Sequence, residues 1–130
     1  MKVKLRVLVE SRKALTILGS ARKLPSNIII DVIKNIKAVK EELEVYDLAR
    51  QNIIEEHAEK NEDGEFIVFD DGSLKTKKGH GKIANEENNK LLDTVVDVSI
   101  KKIVYDLETN PASLTPLEIM SLEYMFKLNK

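Results

Sequence analysis

Four lysines and a histidine fall within eight residues, as Lys75, Lys77, Lys78, His80 and Lys82, with Gly79 and Gly81 set among them. Ammonium groups and an imidazole at this density suit an anion, and glycine lets backbone amides approach one closely. The segment is not a Walker loop, because Gly-His-Gly-Lys lacks that motif's spacing and its trailing serine or threonine. It predicts a site for a phosphate-bearing or nucleotide ligand, against the plainer alternative of a solvated basic hairpin tip. Arg50 is the second cation of interest. It lies on an apolar stripe where it could reach an anion held between helices, could fix register in a helical seam, or could mark where the seam meets solvent.

Acid–base catalysis needs carboxylates or histidines gathered in a shielded pocket. The acids here cluster on one helix face or in turns, as at Glu41-Glu42 and Asp70-Asp71. The only histidines are His57 and His80, and neither has a metal-ligand spacing to another candidate. Without cysteine there is no disulfide, thiolate zinc site or cysteine nucleophile. The expectation is a protein that is not an enzyme, with no metal and no cofactor. Nucleic acid is not expected as a partner either. Aromatics make up 5% of the chain and tryptophan is absent, which leaves little to stack on bases, and the pI is near 6.2.

The elements that must position these residues are dominated by one helix. No glycine or proline interrupts residues 27–61, and Ile29, Val32, Ile36, Val39, Leu43, Tyr46, Arg50, Ile53 and His57 recur at three-four spacing. That predicts a helix of about 34 residues, about 50 Å long, with Ser26 as its cap. Its first turns, with Ile28, Ile29, Ile30, Val32 and Ile33, are apolar nearly all round and should be buried in the core. A helix this long wants a partner along its seam, either a helix of its own chain or a second copy. The spacing favours a homo-oligomer joined through Ile36, Val39, Leu43, Tyr46, Ile53 and His57.

Around this helix, residues 2–9 alternate charge and apolar side chain and predict a half-buried strand. Ser11 should cap a helix over 12–18 that Gly19 stops. Residues 65–69 (EFIVF) read as a strand, 70–72 as a turn, and 73–82 as a flexible arm. Residues 85–93 predict a helix. A strand over 95–105 slips phase at Lys101-Lys102, which asks for a bulge or an end there. Thr115, Pro116 and Glu118 open a terminal helix with a capping box, and its apolar residues run on to Leu128. No internal repeat is visible. The order implies an α+β fold, a small antiparallel or mixed sheet packed with helices, in a single domain over 1–130.

Residues 1–25 carry seven bases against Glu10 alone, and residues 26–65 carry eleven acids against five bases. This polarity could pair the chain's own halves or copies of it. No apolar run approaches the roughly 20 residues that span a bilayer, and the alternating amino terminus lacks the core of a signal peptide. A cytoplasmic protein with no membrane partner is expected.

In layout the chain resembles small uncharacterised proteins encoded by phages and prophages of Gram-positive bacteria. The resemblance rests on the segment EELEVYDLARQNIIEEHAEKNEDGE over 41–65, on NNKLL over 88–92, on VVDVSIKKI over 95–103 and on SLTPLEIMSLEYMF over 113–126. With the segments between, it covers about two-thirds of the chain. It carries no diagnostic catalytic motif and no functional residues. It implies a small, catalytically bare binding protein, of the kind that captures or blocks a host component or sequesters a defence-signalling nucleotide. The other role it implies is a virion or tail assembly accessory acting through protein contacts.

Overall fold

The computed structural model describes residues 1–129, and its architecture is α+β: five helices, one of them long, with two small two-stranded sheets. The long helix, α3 in the numbering used below, runs over Ser26–His57, 32 residues. Its inward face buries Ile28, Val32, Asn35, Val39, Leu43, Tyr46 and His57. Most of the predicted seam is therefore real, and its partner is the chain itself.

Three earlier elements lie against that face or lead into it: strand β1 (Lys2–Lys4), helix α1 (Leu5–Glu10) and helix α2 (Arg12–Gly19). Gly19 lets α2 end tightly on α3, since a Cβ there would sit 3.0 Å from the Ile36 Cδ1. Val39, Leu43, Tyr46 and His57, expected at an interface between copies, are thus occupied by intramolecular packing. Ile36 and Ile53 are half-buried, and Arg50 is exposed.

The amino-terminal strand is shorter than the alternation predicts. Only residues 2–4 pair, antiparallel to β2 (Val95–Asp97), and Leu5 N–H donates the last ladder bond to the Thr94 carbonyl at 2.9 Å. From Leu5 the chain is helical, because Leu5, Leu8 and Ser11 stand three apart on one helical side and all reach the core. Ser11 does not cap α2. It is fully buried in helical geometry, and its hydroxyl donates to the Leu8 carbonyl (2.8 Å) and meets the Tyr124 hydroxyl at 2.8 Å. Burial pushes the Tyr124 phenol up to about 12. Ser26 likewise makes no cap; it is the first residue of α3, after Pro25. The expected all-round burial of the first turns is also corrected: Ile29, Ile30 and Ile33 are exposed.

The predicted strand over 95–105 divides where its phase slips. After β2 the chain leaves the ladder and resumes as β3 (Ile103–Asp106). The break is held by Asn35, whose amide donates to the Lys101 carbonyl (2.8 Å) and accepts from the Lys101 N–H (2.9 Å). A side chain of α3 thus does what a neighbouring strand would do. Thr115, Pro116 and Glu118 build the expected capping box of α5 (Pro116–Ser121). That helix stops early, however, and residues 126–129 form β4, parallel to β3 in the register Ile103 to Phe126. Phe126 stacks on Tyr105 with centroids 4.6 Å apart, and that burial outweighs continuing the helix.

Residues 58–80 contain a repeat of which the sequence shows only the acidic turns at 62–64 and 70–72. Glu59, Ile67 and Lys75, eight residues apart, form a closed ring of backbone bonds. Ile67 N–H donates to Glu59, Lys75 N–H to Ile67, and Glu59 N–H to Lys75, at 3.1, 2.8 and 2.8 Å. Single bridges Lys60–Phe66, Val68–Leu74 and Thr76–Ala58 follow the same three-fold relation. Turns closed by Gly64 onto Asn61, Gly72 onto Phe69 and His80 onto Lys77 fall at the same period. What was expected as a strand and a loose arm is a triangular backbone ring. It begins at the end of α3 and delivers the chain to α4 (Gly81–Leu92).

Candidate functional site

The ring returns residue 80 to the carboxyl end of α3, and this joins the two histidines of the chain. His57 is the last residue of α3 and only 4% exposed. His80 precedes the first turn of α4, and Glu87 lies seven residues further on, hence on the same side of that helix. His57 Nδ1 is 2.9 Å from His80 Nδ1, and His57 Nε2 is 3.0 Å from Glu87 Oε2. The two rings are tilted by 59° with centroids 5.1 Å apart.

The hydrogen-bond roles follow from the carboxylate. An ionised Glu87 can only accept, so His57 Nε2 carries a proton and donates it. In a neutral His57 the Nδ1 then accepts from the protonated Nδ1 of His80. The chain Glu87–His57–His80 leaves His80 Nε2 as an oriented acceptor at the half-exposed end. If His57 takes up a second proton, the bond between the rings reverses and His80 Nε2 becomes a donor. The relay can therefore present either sign of hydrogen bond to a ligand.

Glu56 adds a carboxylate whose oxygen lies 3.9 Å from His57 Nε2. Glu56, His57 and Glu87 place three ligand atoms within 4.8 Å of one another, a donor set of the kind a divalent cation takes. The proton that His57 gives Glu87 satisfies the same valence. Neither histidine has a metal-ligand spacing in the sequence, and the cluster is made instead by residues that only the fold brings together. Sequence reasoning missed Glu87; its spacing from His80 was the available signal, and His57 joins them only through closure of the ring.

The basic segment is divided by the same geometry. Lys75 pairs with Glu59 at 3.2 Å, and Lys77 Nζ donates to the Glu56 carbonyl at 3.0 Å, so both help tie the ring. Lys78 and Lys82 are exposed and form no ion pair among the described residues. They flank Gly79, at φ +81°, and the first turn of α4, which carries no acid and no side-chain cap. Elsewhere around the ring, the Lys60 ammonium holds the Glu55 carboxyl below its usual range, and the Ser73 hydroxyl and amide do so for Asp71.

Arg50, expected to help this segment across an interface between copies, stands elsewhere within the single chain. It lines a cleft of about 300 Å³ with Val9, Arg12, Tyr46 and Asp47. A neighbouring cleft of about 400 Å³ between α2 and α3 is floored by Leu15, Ile36 and Leu43 and edged by Lys40 and Glu44. The Arg12–Asp47 ion pair, 2.9 Å, stands where the two clefts meet.

Comparison with family models, curated proteins and solved structures gave no match. Among the described residues no helix is long and apolar enough to cross a membrane.

Proposed function

We propose that the protein is a non-enzymatic binding protein for an anionic small molecule, held at the amino end of α4 by Lys78, Lys82 and the relay-oriented His80. The observation that carries this is the first turn of α4. Its unpaired backbone N–H groups have neither acid nor side-chain cap, while two unpaired lysines and an oriented imidazole stand around them. Helix amino termini favour anions through those N–H groups and the helix dipole. Lys75 and Lys77 support the site by fixing the ring, and Arg50 belongs to a different surface. The phage resemblance makes a host signalling nucleotide the concrete ligand class.

A panel of mono-, di- and cyclic nucleotides in a thermal-shift assay tests the reading. A ligand that binds only the folded state raises Tm with the logarithm of its concentration over Kd, by about 2.7 kcal/mol of stability at a hundredfold excess. The Lys78→Ala/Lys82→Ala variant should keep the fold and lose the shift. A shift that survives that variant would place the ligand elsewhere, and no shift with any phosphate ligand would end the reading.

The exposed Ile29, Ile30 and Ile33 favour a second reading, an assembly accessory acting through protein contacts. That reading expects a larger partner to copurify and no nucleotide effect.

A further inference from the structure

We propose that the outward face of α3 is a two-fold symmetric, antiparallel interface with a second copy of this chain. Opposite the core, α3 exposes Ile30 (63%) and Ile33 (48%) near its start, and Val45 (62%) and Leu48 (70%) further along. Between these apolar pairs stand Lys34 and Lys37, then Glu41 and Glu44, all exposed. At about 100° per residue the eight positions lie within about 60° of one direction. Their order is a palindrome of spacing centred on position 39.

Set two such helices antiparallel about that centre and every position meets its complement. Ile30 of one copy faces Leu48 of the other, Ile33 faces Val45, Lys34 faces Glu44, and Lys37 faces Glu41. A parallel pairing would set lysine on lysine and glutamate on glutamate, so the charges select the antiparallel arrangement. Among the described residues none of these four charged side chains forms an ion pair within its own chain, although seven other ion pairs between fully charged groups are present. The face is therefore patterned for a partner of its own sequence. It is distinct from the seam at Val39, Leu43 and Tyr46, which the chain's own core fills.

The contact would run about 27 Å, from residue 30 to residue 48. A single helix face of this length makes a small interface, so association is expected at the weak end of specific complexes. The arrangement sets the two His57 ends about 50 Å apart along the axis. The interface does not depend on the ligand reading, since it leaves the residues around His57 to a single chain.

Sedimentation equilibrium of the full chain from about 5 to about 500 µM tests the interface at roughly 50 mM salt, with screening then raised as a second axis. The wild type should pass from monomer to dimer, and the dimer should weaken severalfold at high salt. Lys34→Glu/Lys37→Glu should abolish dimer over the range. Adding Glu41→Lys/Glu44→Lys to it restores the complement only in an antiparallel pair, so the quadruple variant should dimerise again. All four positions are exposed, and circular dichroism checks that each variant stays folded. A wild type monomeric at 500 µM, a dimer indifferent to Lys34→Glu/Lys37→Glu, or a quadruple variant that stays monomeric would each overturn the proposal.

Discussion

The two halves of α3 each bury a polar side chain on the inward face, and they satisfy it in opposite ways. Asn35 lies at 0% exposure in the apolar core and spends its amide on the backbone of one residue, Lys101. His57 lies at 4% exposure and spends both ring nitrogens on side chains that themselves reach solvent, His80 and Glu87. The first arrangement replaces a missing strand and has no freedom left. The second can reverse its hydrogen bonds and still be satisfied. A buried polar group that closes on backbone is wholly spent on the fold, whereas one that opens toward the surface keeps hydrogen-bonding capacity at its outer end.

The largest expected effect breaks the first half. Asn35→Leu keeps the volume and removes both bonds to Lys101, leaving its N–H and C=O without partners. Unmade buried bonds cost about 1–3 kcal/mol each, so roughly 3 kcal/mol of global stability, or about 10 °C in Tm, should be lost in one cooperative transition. Differential scanning calorimetry measures it; a change below about 1 kcal/mol would mean that water replaces the amide freely.

The core around that half also carries an alkaline limit. The Tyr124 phenol is raised from 10.0 to about 12 by burial, so the folded state prefers the neutral form. Its contribution is complete below pH 10 and is lost as pH climbs from 10 to about 12. The ring edge keeps some solvent, so the loss should be about 2 kcal/mol. Denaturant melts across that window should show the decline, and Tyr124→Phe should flatten it.

How much of this was legible in the sequence follows the same division. The three-four spacing located α3 almost to its ends, because nothing between residues 27 and 61 opposes a helix. The phase slip at Lys101-Lys102 located a break in the strand, though not Asn35 as its cause, since residues 66 apart meet only through the fold. The capping box at Thr115 was readable because it is local chemistry. Residues 5–10 misled because alternation and three-residue spacing coexist there, and burial of Leu5 and Leu8 decided for helix. The ring over 58–80 was hidden for a different reason. Its first two octads share the acidic turns Glu62-Asp63-Gly64 and Asp70-Asp71-Gly72, but the third, with Lys77-Lys78-Gly79, does not, so the period shows fully only in the hydrogen bonding. With the ring unseen, the His57–His80 contact was unseen too.

Two smaller effects sharpen the contrast at the other end of the helix. His57→Ala removes the relay, but Glu87 and His80 both retain access to water, so about 1–2 kcal/mol should be lost. The loss should be local. Amide exchange over 58–80 should quicken while that of α1, α2 and β3 keeps its rate. Quickening throughout the molecule would mean that the carboxyl half of α3 is as tightly coupled to the core as the Asn35 half.

Gly72→Ala gives the smallest and most diagnostic change. Gly72 sits at φ +87° with no atom within 4 Å of an added Cβ, so the substitution adds backbone strain and no clash. Strain of that kind costs roughly 1 kcal/mol. If the ring is one cooperative unit, straining the turn at Gly72 should loosen the distant bond between Lys77 N–H and the His57 carbonyl as well as its own. Exchange at Lys77 and at Gly72 would then rise by the same factor, about fivefold for 1 kcal/mol. If only the Phe69–Gly72 turn responds, the three octads open independently, and the histidine pair is held by its own hydrogen bonds and not by the ring that delivers it.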